Sequence, residues 1–173
     1  MSPLKLTPVD PSKLALPSGK QVQILSASIS FRPWRGVPVP DSYGGKAVVT
    51  VDGRPLFAEL AILAILKRQG WDGVWVDSYR RKFRTAMPGI GDPVSLGADQ
   101  QRIWERLCRK STPFSGCWDI FAWRGRALRF IELKRKGRDR IRQSQLKWLE
   151  AALSVGIALR VFQLAEWHIN DGA

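Results

Sequence analysis

The most restrictive feature of the sequence is a pair of apolar, aromatic-rich runs, residues 118–123 and 127–134, with a glycine between them at Gly125. Two such runs around a short turn predict a β-hairpin. Because side chains alternate between the two faces of a strand, Phe130 and Ile131 point to opposite sides. Apolar residues occupy both sides of both runs. The hairpin is therefore expected to lie within a sheet that is covered on both faces.

The same hairpin carries charged residues toward one end. A two-residue turn at Gly125 and Arg126 places Asp119 opposite Glu132, with Lys134 on the same face as Glu132. Like charges that face each other on a sheet are destabilising, and burying them costs more. A divalent cation held by both carboxylates would compensate, and hard oxygen ligands favour magnesium or manganese over zinc. Pairing with Lys134 or nearby arginines at a solvated strand end is the alternative.

Two further polar residues fall within apolar segments. Glu59 is the single carboxylate of a predicted helix over residues 56–69. Burying an acid at that position is costly unless it is paired or binds metal. The alternative is that Glu59 is simply a first-turn acid, which the helix dipole stabilises. Gln145 lies at the edge of the apolar stripe of a second predicted helix, residues 141–155. It can reach the end of the sheet or remain on the surface.

The remaining pattern alternates strands and helices. Residues 1–19 are expected to form an extended arm, and residues 85–98 a loop. Pro55 suits the first position of the first helix. Strands are predicted over residues 21–31, 46–51, 74–79 and 157–164, and another helix over residues 99–110. With the arm and one inserted helix set aside, the order is αβββαβ. We expect an N-terminal extension over residues 1–50 and a core over residues 51–173, together forming one compact α/β domain.

The charge of the chain is concentrated. The sequence holds 28 Lys and Arg against 15 Asp and Glu, a net charge of +13, which indicates a polyanionic partner. Residues 78–142 carry 17 of those basic residues and 6 of the acidic ones. Phosphate contacts are expected from Arg80, Arg81, Lys82, Arg84, Arg135, Lys136, Arg138, Arg140 and Arg142. For any single cluster, a solvated face is the alternative.

Other residue counts exclude several classes of protein. One histidine and two cysteines exclude zinc fingers, HExxH sites and a framework of several disulfides. The N-terminus lacks the apolar stretch of a signal peptide, and the longest apolar run, residues 60–66, is far short of the roughly 20 residues that cross a bilayer. A cytoplasmic protein of bacterial, archaeal or phage origin, with no membrane partner, is expected.

The candidate site residues, in their order along the chain and within the αβββαβ pattern, resemble the PD-(D/E)XK nuclease superfamily. Asp119, the Glu132-Leu133-Lys134 sequence and Gln145 are similar in particular to the virus-type replication-repair nuclease (VRR-NUC) branch. The resemblance covers residues 55–164. The family usually has Pro before the Asp, where this chain has Trp118, but no metal ligand is lost by that difference.

The resemblance implies a restriction-endonuclease-like fold, in which a mixed central sheet is flanked by helices, and metal-dependent hydrolysis of phosphodiester bonds. Asp119 and Glu132 would hold Mg²⁺, or Mn²⁺ in its place, with the Leu133 carbonyl as a third ligand and Glu59 binding directly or through water. Lys134 would position the attacking water and stabilise charge on the phosphate. Gln145 would orient Lys134 or that water.

The leading hypothesis is therefore a magnesium-dependent DNA endonuclease, with junctions, flaps and other branched DNA as candidate substrates. A homodimer would suit symmetric junctions. The alternatives are a non-catalytic basic module that binds nucleic acid, and a subunit of a larger replication, repair or defence assembly that docks through residues 1–50. The paired acids argue against a pure binder, because carboxylates beside phosphates would only weaken binding.

Overall fold

The computed structural model describes residues 4–172, which contain nine strands and three α-helices. The strands are β1 (Thr7–Ala15), β2 (Gln21–Pro33), β3 (Val49–Val51), β4 (Arg54–Leu56), β5 (Asp72–Asp77), β6 (Lys82–Arg84), β7 (Ile120–Arg124), β8 (Ala127–Arg135) and β9 (Phe162–Ile169). The helices are α1 (Ala58–Arg68), α2 (Ala98–Cys108) and α3 (Gln143–Ser154), and a short 3₁₀ helix spans Leu159–Val161.

All nine strands join one sheet in the order β4-β3-β2-β9-β8-β7-β5-β6, and β1 pairs with β2 off this path. The pairs β2–β9 and β8–β9 are parallel, and the others are antiparallel. The sheet is therefore mixed and largely antiparallel, with helices against it. This confirms the predicted α/β class.

The hairpin of β7 and β8 has the predicted register. Ile120 pairs with Ile131, and Arg124 pairs with Ala127. Gly125 has a φ of 58°, a conformation that an L side chain at that turn position would adopt only with strain. The turn therefore fixes which residues of the two strands face each other, and it brings Asp119 level with Glu132.

Each face of the hairpin packs into its own core, as its two apolar faces predict. On one face, Ile120 and Ile131 belong to a cluster built around α1. On the other, Phe121 and Phe130 belong to a cluster that includes residues of α2 and α3. The Phe130 ring lies 4.8 Å from Phe121, 5.3 Å from Phe162 and 5.6 Å from Trp148 between ring centroids. Helices on both sides thus hold the hairpin at the centre of the molecule.

The N-terminal segment is more regular than an extended arm. β1 pairs along β2, with a register irregularity between Val9 and Ser12 that takes up Asp10 and Pro11. Proline lacks an N–H donor, so a bulge is where a strand accommodates it. Because β2 also pairs with β9, the first 50 residues extend the sheet that carries the hairpin.

Other boundaries also differ from the prediction. Pro55 lies in β4 opposite Thr50, and the helix that follows begins at Ala58, so the prediction of Pro55 as a first helical residue is wrong. The last strand begins at Phe162 rather than at residue 157, because a 3₁₀ turn precedes it. The short strand β6 was not predicted. None of the helices in residues 4–172 is long and apolar enough to cross a membrane.

Phe130→Ala is expected to destabilise the fold by about 3–5 kcal/mol, because it empties a site that is 1% exposed among three aromatic rings. Denaturant unfolding followed by tryptophan fluorescence measures the effect. Leu25→Ala is the control, since Leu25 lies in a strand but is 56% exposed, and a change within about 0.5 kcal/mol is expected there. Equal losses in the two variants would contradict the described core.

Candidate active site

Asp119 is anchored by the backbone at the end of the hairpin. Its carbonyl accepts the Val76 N–H of β5 at 2.8 Å, and its Oδ2 accepts the Leu133 N–H of β8 at 2.8 Å. The residue is thus tied to both neighbouring strands. One carboxylate oxygen is held in a fixed position beside Glu132.

Glu132 is 1% exposed and shares a hydrogen-bonded group with Lys134 and Gln145. Lys134 Nζ donates to Glu132 Oε1 at 2.6 Å and to Gln145 Oε1 at 2.9 Å. Gln145 Nε2 donates to the same Glu132 oxygen at 2.5 Å. A buried carboxylate needs such donors, because burying an unpaired charge is costly. The pairing that was the alternative to metal binding is thus present for Glu132, without excluding a ligand on its other oxygen.

The start of α3 delivers Gln145 to this group. Gln145 Oε1 also accepts the Arg142 N–H at 2.8 Å, a bond typical of a helix N-terminus. Gly116 lies so close to this turn that a Cβ atom there would come within 2.2 Å of the Ser144 carbonyl oxygen. Glycine is therefore required for the chain leading to Asp119 to pass against the helix.

Glu59 is held by a second lysine. It lies in the first turn of α1, is 7% exposed, and its Oε1 accepts a bond from Lys46 Nζ at 2.5 Å. Lys46 comes from the loop between β2 and β3. Its ammonium also lies over the rings of Phe57 and Trp75, 5.4 and 5.1 Å from their centroids. The acid is therefore paired inside the protein.

The carboxylates of the two glutamates have the same pattern of hydrogen bonding. In each residue, Oε1 accepts a hydrogen bond from a lysine. The Oε2 atoms of Glu59 and Glu132 are buried without a hydrogen-bond partner. Unpartnered buried oxygens are rare and call for an explanation such as a bound water or ion. Across residues 4–172, no three His, Cys, Asp or Glu side chains already form a metal-binding group. The acids of the site are instead held singly, each by donors of the protein.

The electrostatics reflect this crowding of acids. Burial raises the pKa of Glu132 from 4.5 to about 7, against the opposing influence of Lys134 and Gln145. Burial, reinforced by Glu132 and Glu59, raises the pKa of Asp119 well above 3.8. Burial by itself would lower the pKa of Lys46, but the neighbouring acids, Glu59 above all, raise it. Burial is thus the main cause of the raised pKa of both Glu132 and Asp119.

These residues line one cavity of about 610 Å³. Its acidic residues are Glu59, Asp119, Glu132 and Asp139. Its basic and polar lining includes Lys46, Ser78, Lys134, Arg135, Arg138, Arg140, Arg142 and Gln145, together with Leu133. The structure therefore brings the predicted acids, Lys134, Gln145 and four of the predicted arginines to one place. Lys136 is absent from this lining.

The other predicted basic cluster, residues 80–84, does not line the cavity. Within it, the placement of Arg84 does not support a phosphate contact. Arg84 is 6% exposed, and its Nε donates to the buried Asp77 at 2.8 Å. Tyr43 donates to the same carboxylate oxygen. Arg80 pairs with Asp41 and lies 3.7 Å from the centre of the Tyr43 ring. Arg84 thus supports the loop between β2 and β3 through Asp77, and Arg80 contacts that loop directly. Arg80, Arg81 and Lys82 are exposed.

The sequence reasoning missed Lys46, Tyr43 and Asp77. Tyr43 lies in a loop rich in proline and glycine, where no periodicity marks a side chain as functional. Lys46 is the first residue of the strand predicted over residues 46–51, but β3 begins only at Val49 and Lys46 belongs to the loop. Asp77 had a usable signal, since an acid that directly follows three apolar residues of a predicted strand is expected to need a partner. Its partner Arg84 is instead among the residues that the sequence predicts to contact phosphate.

No known family model, curated protein or solved structure matches this chain.

Without divalent cations, the free energy of unfolding is expected to fall as the pH rises from 4.5 to about 7. The folded state keeps a proton on Glu132 that the unfolded state releases, so the stabilisation is complete below the unfolded pKa and lost above the folded one. The loss attributable to this group is about 3 kcal/mol at most. Urea unfolding in EDTA across this range measures it. Glu132→Gln should flatten the profile, and an unchanged profile would refute the assignment.

Arg84→Met is expected to cost about 3–5 kcal/mol, because it leaves the carboxylate of Asp77 buried and without its ion pair. Thermal or urea unfolding measures the loss. Arg81→Met removes the same charge from an exposed neighbour and should change stability by less than about 0.5 kcal/mol. If the two variants were equally stable, the Asp77–Arg84 pair would not be structural.

Proposed function

We propose that this protein is a magnesium-dependent deoxyribonuclease that hydrolyses phosphodiester bonds, with a restriction-endonuclease-like core of the PD-(D/E)XK type. One observation carries the proposal. Two buried glutamates, Glu59 and Glu132, each have a lysine on one oxygen and an unpartnered second oxygen, and both line a cavity with basic side chains around it.

The order of elements supports the proposed core. α1, β5, β7, β8, α3 and β9 follow the αβββαβ sequence, and β6 and α2 are insertions within it. The strands β5, β7, β8 and β9 are neighbours in the sheet. The N-terminal strands extend this core on the far side of β9.

The donor set fits a divalent cation of the magnesium type. Carboxylate oxygens from Asp119, Glu132 and Glu59, with the Leu133 carbonyl, are hard ligands suited to Mg²⁺ or Mn²⁺. The buried, unpartnered Oε2 atoms of the two glutamates fit the same interpretation. A cation bound there would lower the pKa of a coordinated water and offset negative charge on the phosphate.

Lys134 and Gln145 would act on the reacting groups. The Lys134 ammonium has three N–H donors, two of which bond Glu132 and Gln145. The third can donate to the attacking water or to a phosphate oxygen, where a fixed charge stabilises the developing negative charge. Gln145 keeps Lys134 in place through a bond from the first turn of α3.

The arginines of the cavity would position the DNA. Arg135, Arg138, Arg140 and Arg142 follow Lys134 in the chain and line the same cavity. The guanidinium of Arg135 packs 5.2 Å from the ring centre of Trp167, which limits its motion. Contacts of this kind go to the phosphate backbone and carry no sequence information. We therefore propose recognition of DNA structure rather than of base sequence, with flaps and junctions as candidate substrates.

Cleavage of single-stranded, duplex, flap and four-way-junction DNA in Mg²⁺, Mn²⁺ or EDTA tests the proposal. Activity is expected with either metal and not with EDTA. Lys134→Ala should lower the rate by about 10²–10³-fold, since it removes a donor to the transition state. Glu132→Ala should abolish cleavage.

Lys147→Ala is the matched control, since Lys147 is an exposed lysine of α3 that does not line the cavity. It should retain nearly full activity, and circular dichroism confirms that each variant is folded. Cleavage that survives EDTA, or both site substitutions, would overturn the site. DNA binding without cleavage in either metal would instead favour a non-catalytic binding module.

A further inference from the structure

The side chain of Lys46 is held by contacts with buried residues. It belongs to the first 50 residues and reaches the cavity from the loop between β2 and β3. Its ammonium lies within 5.4 Å of the ring centres of Phe57 and Trp75 and bonds Glu59 at 2.5 Å. Such packing fixes a long side chain that would otherwise lose rotamer freedom on binding a ligand.

The ammonium of Lys46 nevertheless has capacity for a ligand. Its side chain is 31% exposed, whereas the side chain of Glu59 beside it is only 9% exposed. Among residues 4–172, Glu59 is its hydrogen-bond partner, which takes one of three N–H donors. The remaining donors belong to a group that lines the cavity together with Lys134 and the arginines.

The relation of Lys46 to Glu59 repeats that of Lys134 to Glu132. In each pair, a lysine holds Oε1 of a buried glutamate at 2.5 or 2.6 Å and leaves Oε2 unpartnered. The two pairs line the same cavity from different parts of the chain. Both ammonium groups therefore line the space that a phosphate group would enter.

We propose that Lys46 donates a hydrogen bond directly to a phosphate of bound DNA, so that the N-terminal extension supplies a substrate-contacting residue of the site. This inference rests on the proposed function for the identity of the ligand. In this proposal the loop that carries Lys46 contributes to the site itself, whereas the alternative from the sequence is that residues 1–50 dock to a larger assembly.

The competing explanation is that Lys46 only neutralises Glu59. The two roles separate in a Glu59→Gln background, where Lys46 no longer has the carboxylate to which it is bonded. If Lys46 served only to neutralise Glu59, removing its ammonium from the Glu59→Gln variant would have no effect on DNA binding. If Lys46 contacts a phosphate, its removal weakens binding in this background as well.

The experiment compares Glu59→Gln with Lys46→Met/Glu59→Gln, using fluorescence anisotropy of a labelled duplex in EDTA between about 50 and 200 mM salt. Methionine keeps an unbranched apolar side chain at this position and removes the charge. We expect affinity to fall roughly three- to tenfold, and the slope of log K against log salt to become shallower by about 0.9. Lys46→Arg/Glu59→Gln should keep the slope of the parent, because it retains the charge.

Lys67→Met/Glu59→Gln is the matched control, since Lys67 is an exposed lysine two turns along α1 from Glu59. Its slope should equal that of the parent. A Lys46→Met slope equal to that of this control would overturn the inference. If the methionine variant does not fold, Lys46→Gln/Glu59→Gln replaces it with the same expected outcome.

The outcomes for the two proposals are distinct. Wild-type protein that cleaves DNA, with no slope change on removing Lys46, would overturn only the Lys46 contact. Wild-type protein that binds DNA and never cleaves it would overturn the nuclease, while the slope change would still establish the contact. Protein that binds no DNA would overturn both.

Discussion

The structure depends on the burial of an acid at the end of its central hairpin. Glu132 lies on a strand with apolar cores on both sides, so bulk water does not solvate its carboxylate. Its charge must be met by protein groups, and Lys134 and Gln145 are those groups. The first turn of α3 supplies Gln145, and the chain before Asp119 passes that turn closely at Gly116. The helix, the hairpin and the polar group are parts of one arrangement.

The loop between β2 and β3 is fastened by a second set of buried polar contacts. Asp77, at the end of β5, accepts bonds from Arg84 and Tyr43. Arg80 covers the ring of Tyr43 and pairs with Asp41. These contacts fix the part of the loop just before Lys46, and the β3 pairing fixes the part that follows. Two of the basic residues that give the chain its high charge are therefore used for internal structure.

Periodicity and turn chemistry were sufficient to predict the centre of the molecule. The two-sided apolar pattern and Gly125 gave the hairpin, its register and its burial, because each depends on neighbouring residues in the chain. The same register, with the single acid of α1, gave the candidate acids. Pro55 and β6 were not predictable in this way, since short strands exist only through their partners. Lys46 and the role of Arg84 depend on contacts between distant segments, which a charge count does not reveal.

The position of β9 has a consequence for how the protein is made. This last strand lies between β2, from the start of the chain, and β8, from its middle. Until β9 has been synthesised, β2 has no sheet connection to the hairpin, and long-range parallel pairing of this kind forms slowly. The loop that bears Lys46 has contacts with α1 and β5 that do not depend on β9, whereas the pairing of β2 with the rest of the sheet does. A nascent chain that has not yet formed β9 would therefore hold its N-terminal strands and its central hairpin as separate parts of an unfinished sheet.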